Sequence, residues 1–84
     1  MAYITVYSKS TCLYCVKALA LLEDLGQAPE IIDVKENPER RPEMIEKAGG
    51  RNTVPQIFIG ERYIGGCDDL LALHEQDDLI PLLK

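Results

Sequence analysis

Residues 8–26 read SKSTCLYCVKALALLEDLG, and the reading of this stretch decides the fold. Two cysteines, Cys12 and Cys15, stand three apart where a polar turn gives way to an apolar helical pattern. Upstream, AYITVY (2–7) is β-branched and aromatic and reads as a strand. Downstream, Val16, Leu19, Leu22 and Leu25 recur every third residue, with Ala18, Ala20 and Leu21 between them, so 13–25 reads as a helix with a broad apolar face. Ser10 or Thr11 is placed to cap its start and Gly26 to end it.

The rest of the chain continues this alternation. EIIDV (30–34) is a short apolar run between turn signals, a second strand. In NPERRPEMIEKAGG, Asn37 is placed to cap a helix with Pro38 in its first position. Pro42 falls where a missing N–H is still tolerated, and Glu43 and Lys47 make an i,i+4 pair. Gly49 and Gly50 end that helix. PQIFI, a turn at Gly60-Glu61, and RYIG read as a hairpin. CDDLLALHEQDD, with Leu70, Leu71 and Leu73, reads as a third helix, and IPLLK as a tail whose leucines pack back. The order is β-α-β-α-β-β-α. The first two strands, joined by a helical crossover, should be parallel and right-handed, and the last two antiparallel.

Composition bounds the functions. Eighty-four residues suit one small domain, 1–84, in which folding hides only about 60–65% of the unfolded chain's surface. With 46% hydrophobic and 27% charged residues the chain reads as a soluble globular protein. No apolar run approaches the roughly 18–20 residues that span a bilayer, and the first ten residues lack the basic start and apolar stretch of a signal peptide. A cytoplasmic protein without membrane contact is expected. The net charge of −5 and the absence of a basic stripe argue against nucleic acid as a partner. Three cysteines are an odd number and cannot form a full disulfide framework.

The cysteine pair has three readings. A zinc site needs about four ligands, and the only other candidates are Cys67 and His74, with no second Cys-x-x-Cys. A structural bridge across one helical turn would close almost no loop. A redox pair fits the strand-to-helix context best. At a helix N-terminus Cys12 meets unpartnered N–H groups and the positive end of the helix dipole, with Lys9 nearby, and all three favour thiolate. Cys12 is then the nucleophile. Cys15, one turn inside, is placed to attack a mixed disulfide on Cys12. No resident metal is expected.

Two further stretches stand out. In Thr53-Val54-Pro55 the proline opens an apolar run; trans is the ordinary state, while cis would leave the Val54 backbone able to pair with an extended peptide. In Gly65-Gly66-Cys67-Asp68-Asp69 two glycines allow close approach and two acids open a helix, which suits plain capping or a small zwitterionic ligand equally. His74 reads as an ordinary surface or half-buried histidine.

Together and in this order, TCLYCVKA, EMIEKAGGRNTVPQIFIG and YIGGCDDLLAL resemble the glutaredoxin family over essentially the whole chain, in particular its small bacterial dithiol members. The resemblance implies a thioredoxin fold, a four-stranded mixed sheet flanked by three helices, with Pro55 cis. It implies glutathione-dependent reduction of protein disulfides and glutathione mixed disulfides, with glutathione as co-substrate rather than a permanently bound cofactor. Cys12 matches the nucleophile and Cys15 the resolving thiol. Lys9 resembles the residue that meets glutathione's glycine carboxylate and Tyr14 the aromatic wall of the groove. Val54, beside Thr53 and Pro55, resembles the residue whose backbone pairs with glutathione's cysteine. Gly66, Cys67, Asp68 and Asp69 resemble the loop that holds the γ-glutamyl end. Protein disulfides, ribonucleotide reductase among them, are the implied partners, and a monomer is expected.

The chain also departs from the family pattern. Leu13 stands where the common dithiol motif has proline, which is expected to change the redox potential. It also leaves open a [2Fe–2S] cluster shared between two copies with glutathione as co-ligand. Pro42 falls where the family often has a polar residue facing the glycine carboxylate, and Arg41 is the candidate substitute, with Arg51 a further source of local positive charge. Cys67 is expected to be inert. A glutaredoxin-like electron donor recycled by thioredoxin reductase is the remaining alternative.

Overall fold

The computed structural model describes residues 3–9 and 11–83. In chain order these form β1 (Ile4–Ser8), α1 (Leu13–Asp24), β2 (Glu30–Asp33), a 3-10 turn (Pro38–Arg40), α2 (Arg41–Lys47), β3 (Gln56–Ile59), β4 (Arg62–Gly65), α3 (Cys67–Glu75) and α4 (Leu79–Leu83). The sheet order is β2-β1-β3-β4. β1 and β2 run parallel with Val6 opposite Ile31, as a helical crossover requires. β1 and β3 are antiparallel with Val6 opposite Ile57. β3 and β4 form the expected hairpin, with Gly60 at φ +61 in its turn and a register shift at Ile57/Phe58. This is the mixed four-stranded sheet that the resemblance implies.

Strand alternation sends side chains to two cores. On one face Ile4, Val6, Ile57 and Ile59 pack with Ala18 and Leu22 of α1, Leu70 of α3, and Leu79 and Leu83 of α4. On the other, Tyr7, Ile32, Val34 and Phe58 pack with Met44 of α2. The first core sets α1 and α3 side by side, so both present their N-termini at one end of the sheet, beside the loop before β3.

Several expectations shift in detail. β1 begins at Ile4; Ala2, where the strand was expected to open, lies outside the described residues, as do Met1 and Lys84. The buried stripe of α1 is Cys15, Ala18 and Leu22, while Val16 is 56% exposed. A strict three-residue spacing rotates about 60° per step around a helix, so Val16 and Leu25 cannot share one face. Gly26 does end α1, at φ +77, with the Gln27 N–H returning to the Leu22 carbonyl at 2.9 Å.

Asn37 does not cap through its side chain, which instead donates to the Asp33 carbonyl at 3.0 Å; a 3-10 turn precedes α2. Glu43 pairs with Arg40 at 3.0 Å rather than with Lys47, and also accepts from the Tyr7 hydroxyl. α3 stops at Glu75, three residues short of the expected 78. The tail forms α4, where Leu79 and Leu83, four apart, are buried, and Pro81 is tolerated because it falls in the first turn.

Candidate active site

The turn after β1 brings the chain to Cys12, which is itself the N-cap of α1. Its backbone is extended (φ −91°, ψ 118°) and its sulfur accepts the Cys15 N–H at 3.4 Å. Neither expected oxygen cap fills that place: Thr11 lies outside the helix, and Ser10 lies outside the described residues. Burial pushes the Cys12 thiol up, but hydrogen bonds from Cys15 and from the Tyr14 backbone, with the Lys9 charge, outweigh it and hold the thiol below its ordinary value. The donors at this sulfur are thus on Tyr14 and Cys15. Leu13, 83% exposed, presents its side chain to solvent beside it.

Cys15 sits one turn inside and is 1% exposed. Its thiol is pushed up to about 12, first by burial, then by its bond with Cys12 and by the charges of Cys12 and Cys67; a backbone bond from Lys9 opposes this only in part. Two thiols a single turn apart are therefore driven in opposite directions. One is accessible and readily ionised, the other enclosed and protonated, the asymmetry expected of an attacking and a resolving sulfur. All three cysteines are free, and Cys67 is buried with its thiol pushed up by burial and by Asp68.

Opposite Cys12 stands the loop before β3. The Val54–Pro55 peptide is cis. It turns the Val54 carbonyl toward Cys12, whose thiol donates to it at 3.8 Å. Beyond it, Gly66 caps α3, and its N–H donates to Asp69 Oδ2 at 3.0 Å. Gly65 is at φ +120, and a Cβ there would collide with the Asp69 carboxylate; a Cβ on Gly66 would stand 3.4 Å from the Pro55 carbonyl. The two glycines let β4 and α3 close against the cis-proline loop.

The three segments enclose a cleft of about 150 Å³. Tyr14, Thr53, Val54, Pro55, Gly66, Cys67, Asp68 and Asp69, which the resemblance groups together, all line it. Lys9 stays outside the lining but lies near enough for its charge to act on Cys12. Arg41 is not in the lining; its guanidinium donates to the Asn52 carbonyl at 2.6 Å. Arg51 is in the lining, held by Asp69 at 3.4 Å and by the Tyr63 hydroxyl at 3.1 Å.

Sequence reasoning passed over Gln56 and Tyr63, which brace this cleft from behind. The available signal was Gln56, an amide inside the apolar run PQIFI, since a polar side chain at a core position must find partners. His74 is exposed in the last turn of α3, as expected. Among the described residues no group of three or more His, Cys, Asp or Glu converges to hold a metal ion. Of the three cysteines only Cys12 is accessible, so each copy of the chain offers a cluster one sulfur ligand; that fits only the shared, glutathione-completed arrangement. No helix of the described residues is long and apolar enough to cross a membrane.

Comparison with known proteins agrees with this geometry. The glutaredoxin family model matches residues 4–64. Glutaredoxin 3 of Escherichia coli (strain K12) is 49% identical over 84 residues, the whole of both chains. The solution structure of glutaredoxin from Brucella melitensis superposes with a TM-score of 0.86 at 48% identity, covering 100% of this chain and 90% of that one. The crystal structure of a buckwheat glutaredoxin–glutathione complex superposes with a TM-score of 0.88 at 30% identity, over 98% of this chain and 76% of that one. With a family model that spans the cysteine pair and the cis-proline loop, and 49% identity over the full length of a glutaredoxin, the chain belongs to the glutaredoxin family, thiol–disulfide oxidoreductases of the thioredoxin fold.

Proposed function

We propose that this chain, as one domain over 1–84, reduces glutathione mixed disulfides and protein disulfides at the expense of glutathione, with Cys12 as nucleophile and Cys15 as resolving thiol. The observation that carries the reading is the opposed pair of thiols, Cys12 held below its ordinary value and Cys15 pushed up to about 12, with the Cys12 sulfur beside the cleft, 3.8 Å from the carbonyl of its lining residue Val54. The likeness to a buckwheat glutaredoxin solved with glutathione supports the choice of co-substrate.

In the monothiol route the Cys12 thiolate attacks the glutathione sulfur of a mixed disulfide. A Cys12–glutathione disulfide forms and the substrate leaves as a thiolate that takes up a proton. A second glutathione, as thiolate, attacks the glutathione sulfur, forming glutathione disulfide and returning the Cys12 thiolate. In the dithiol route Cys12 opens a protein disulfide, and Cys15, giving up its proton to the departing thiolate, attacks Cys12 and closes the Cys12–Cys15 disulfide.

Within the cleft the Val54 backbone pairs with glutathione's cysteine beside Thr53 and Pro55, and Tyr14 forms a wall. Gly66, Cys67, Asp68 and Asp69 take the γ-glutamyl end at the α3 N-terminus, where N–H groups suit a carboxylate and acids suit an amine. Lys9 meets the glycine carboxylate, and Arg41 contributes through the loop it braces at Asn52. The chain acts as a monomer in the cytoplasm on protein disulfides, for which ribonucleotide reductase is the family's expectation.

The test is NADPH consumption with glutathione, glutathione reductase and a small glutathione mixed disulfide. Wild type is expected to be active, Cys12→Ser inactive, and Cys15→Ser to retain most activity. An inactive wild type refutes the reading. Turnover with thioredoxin reductase alone would then identify the alternative electron donor, and visible absorption after anaerobic reconstitution with iron and sulfide the cluster-binding alternative.

A further inference from the structure

Behind the cleft runs a hydrogen-bonded chain that touches both of its walls. Gln56 is 0% exposed, and its Nε2 donates to the Thr53 carbonyl at 2.8 Å and to Thr53 Oγ1 at 3.1 Å. Because a carbonyl only accepts, that contact fixes which way the amide faces and leaves Oε1 pointing away from the loop. Oε1 accepts the Tyr63 hydroxyl proton at 2.6 Å. The Tyr63 oxygen in turn accepts from Arg51 Nη1 at 3.1 Å, and the same Nη1 reaches Asp69 Oδ2 at 3.4 Å. Asp69 Oδ2 closes the chain on the Gly66 N–H at 3.0 Å.

The bonds diverge from Arg51: toward the Thr53–Pro55 wall they run in one direction through Tyr63 and Gln56, each polarising the next, and toward the α3 wall Arg51 and the Gly66 N–H both donate to Asp69 Oδ2. The Tyr63 ring is held by Phe58, with ring centroids 5.2 Å apart. Tyr63 itself opens onto a different cavity, on the α2 face of the sheet. Its effect on the cleft must pass through Gln56 and Arg51.

We propose that Tyr63 is a positioning residue which, through Gln56 on one side and Arg51 on the other, holds the Thr53–Pro55 wall and the Asp69 wall of the cleft at a fixed separation before substrate arrives. The ordering of the two walls is then complete in the free protein, and binding does not have to supply it. The proposal rests on the reading of this cleft as the substrate site, so its test has one readout that depends on that reading and one that does not.

The variant is Tyr63→Phe, which keeps the ring and removes the hydroxyl. KM for a small glutathione mixed disulfide is expected to rise about fivefold, the equivalent of one net hydrogen bond of ~1 kcal/mol at 1.4 kcal/mol per decade. kcat and the pH profile of Cys12 alkylation stay unchanged. Independently of activity, hydrogen exchange at the Gly66 backbone amide and the Gln56 side-chain amide is expected to quicken about fivefold, by the same single bond.

Arg51→Leu, an exposed change that leaves the core intact, serves as a second variant. Combined with Tyr63→Phe it should raise KM by less than the product of the two single effects, since both act on one chain. A loss of thermal stability with unchanged KM and unchanged exchange reduces Tyr63 to a packing role and overturns the proposal. Multiplicative effects of the two variants overturn it as well. A wild type without glutathione activity refutes the underlying reading instead, and exchange then decides the coupling alone.

Discussion

Reduced protein treated with iodoacetamide at pH 7 should be labelled at Cys12 alone. At its ordinary value of 9.0 a thiol is about one part in a hundred thiolate at that pH, and the hydrogen bonds and the Lys9 charge lift Cys12 above that fraction. Cys15, at about 12, is thiolate to roughly one part in 10⁵. The populations therefore differ by at least about 10³. Intrinsic nucleophilicity works the other way: a Brønsted coefficient of about 0.4–0.5 over three pKa units favours Cys15 by roughly 15–30-fold. A selectivity of at least about 30-fold for Cys12 remains, and the enclosure of Cys15 widens it. Cys67, buried and also pushed up, stays unlabelled. Peptide mapping by mass spectrometry over a time course reads the ratio, and the rate against pH reads the Cys12 midpoint, expected below 9. Labelling of Cys15 within tenfold of Cys12, or a midpoint at or above 9, would refute the argument that α1 divides the two thiols.

Two further outcomes follow from buried groups. Cys15 and Tyr7 hold their protons to about 12, against ordinary values of 9.0 and 10.0, so between those limits the native state binds more protons than the unfolded one. Their contribution to stability is complete below pH 9 and lost as pH rises toward 12; denaturant midpoints should fall over this window, and less steeply in Cys15→Ala and Tyr7→Phe. Gly65→Ala places a Cβ at φ +120 against the Asp69 carboxylate, and it should destabilise by about 1–3 kcal/mol in urea titrations while freeing the Gly66 N–H from its cap.

Much of the architecture was legible because period and punctuation agreed. The β-branched and aromatic AYITVY, the polar turn before the apolar helical pattern, and the PQIFI/RYIG pair about Gly60 each pointed to one kind of element, and each became it. The cleft was legible residue by residue where its members lie close in sequence, as in Thr53–Pro55 and Gly66–Asp69. What escaped depends on contacts distant in the chain. Arg41 and Arg51 are equivalent as letters; only the fold sends one to the Asn52 carbonyl and the other into the lining. Val16 looked like core because a three-residue spacing imitates a helical face until its rotation is summed. Glu43 was paired with Lys47 by spacing, but Arg40 and Tyr7 reach it first. The cis state of Pro55 came from resemblance, since composition alone favours trans.

The reacting sulfur of Cys12 is also the group that closes the first turn of α1. Whatever free energy the helix draws from a thiolate at that position is, by linkage, the same quantity that lowers the thiol's pKa and makes the sulfur a better leaving group. Tying that sulfur into a disulfide removes its charge and weakens the cap. The charge-dependent part of that cap therefore belongs to the reduced protein alone, and the coupling runs both ways: a change in the chain that strengthens the bond from the Cys15 N–H to the thiolate favours the reduced pair, and one that weakens it favours the oxidised pair.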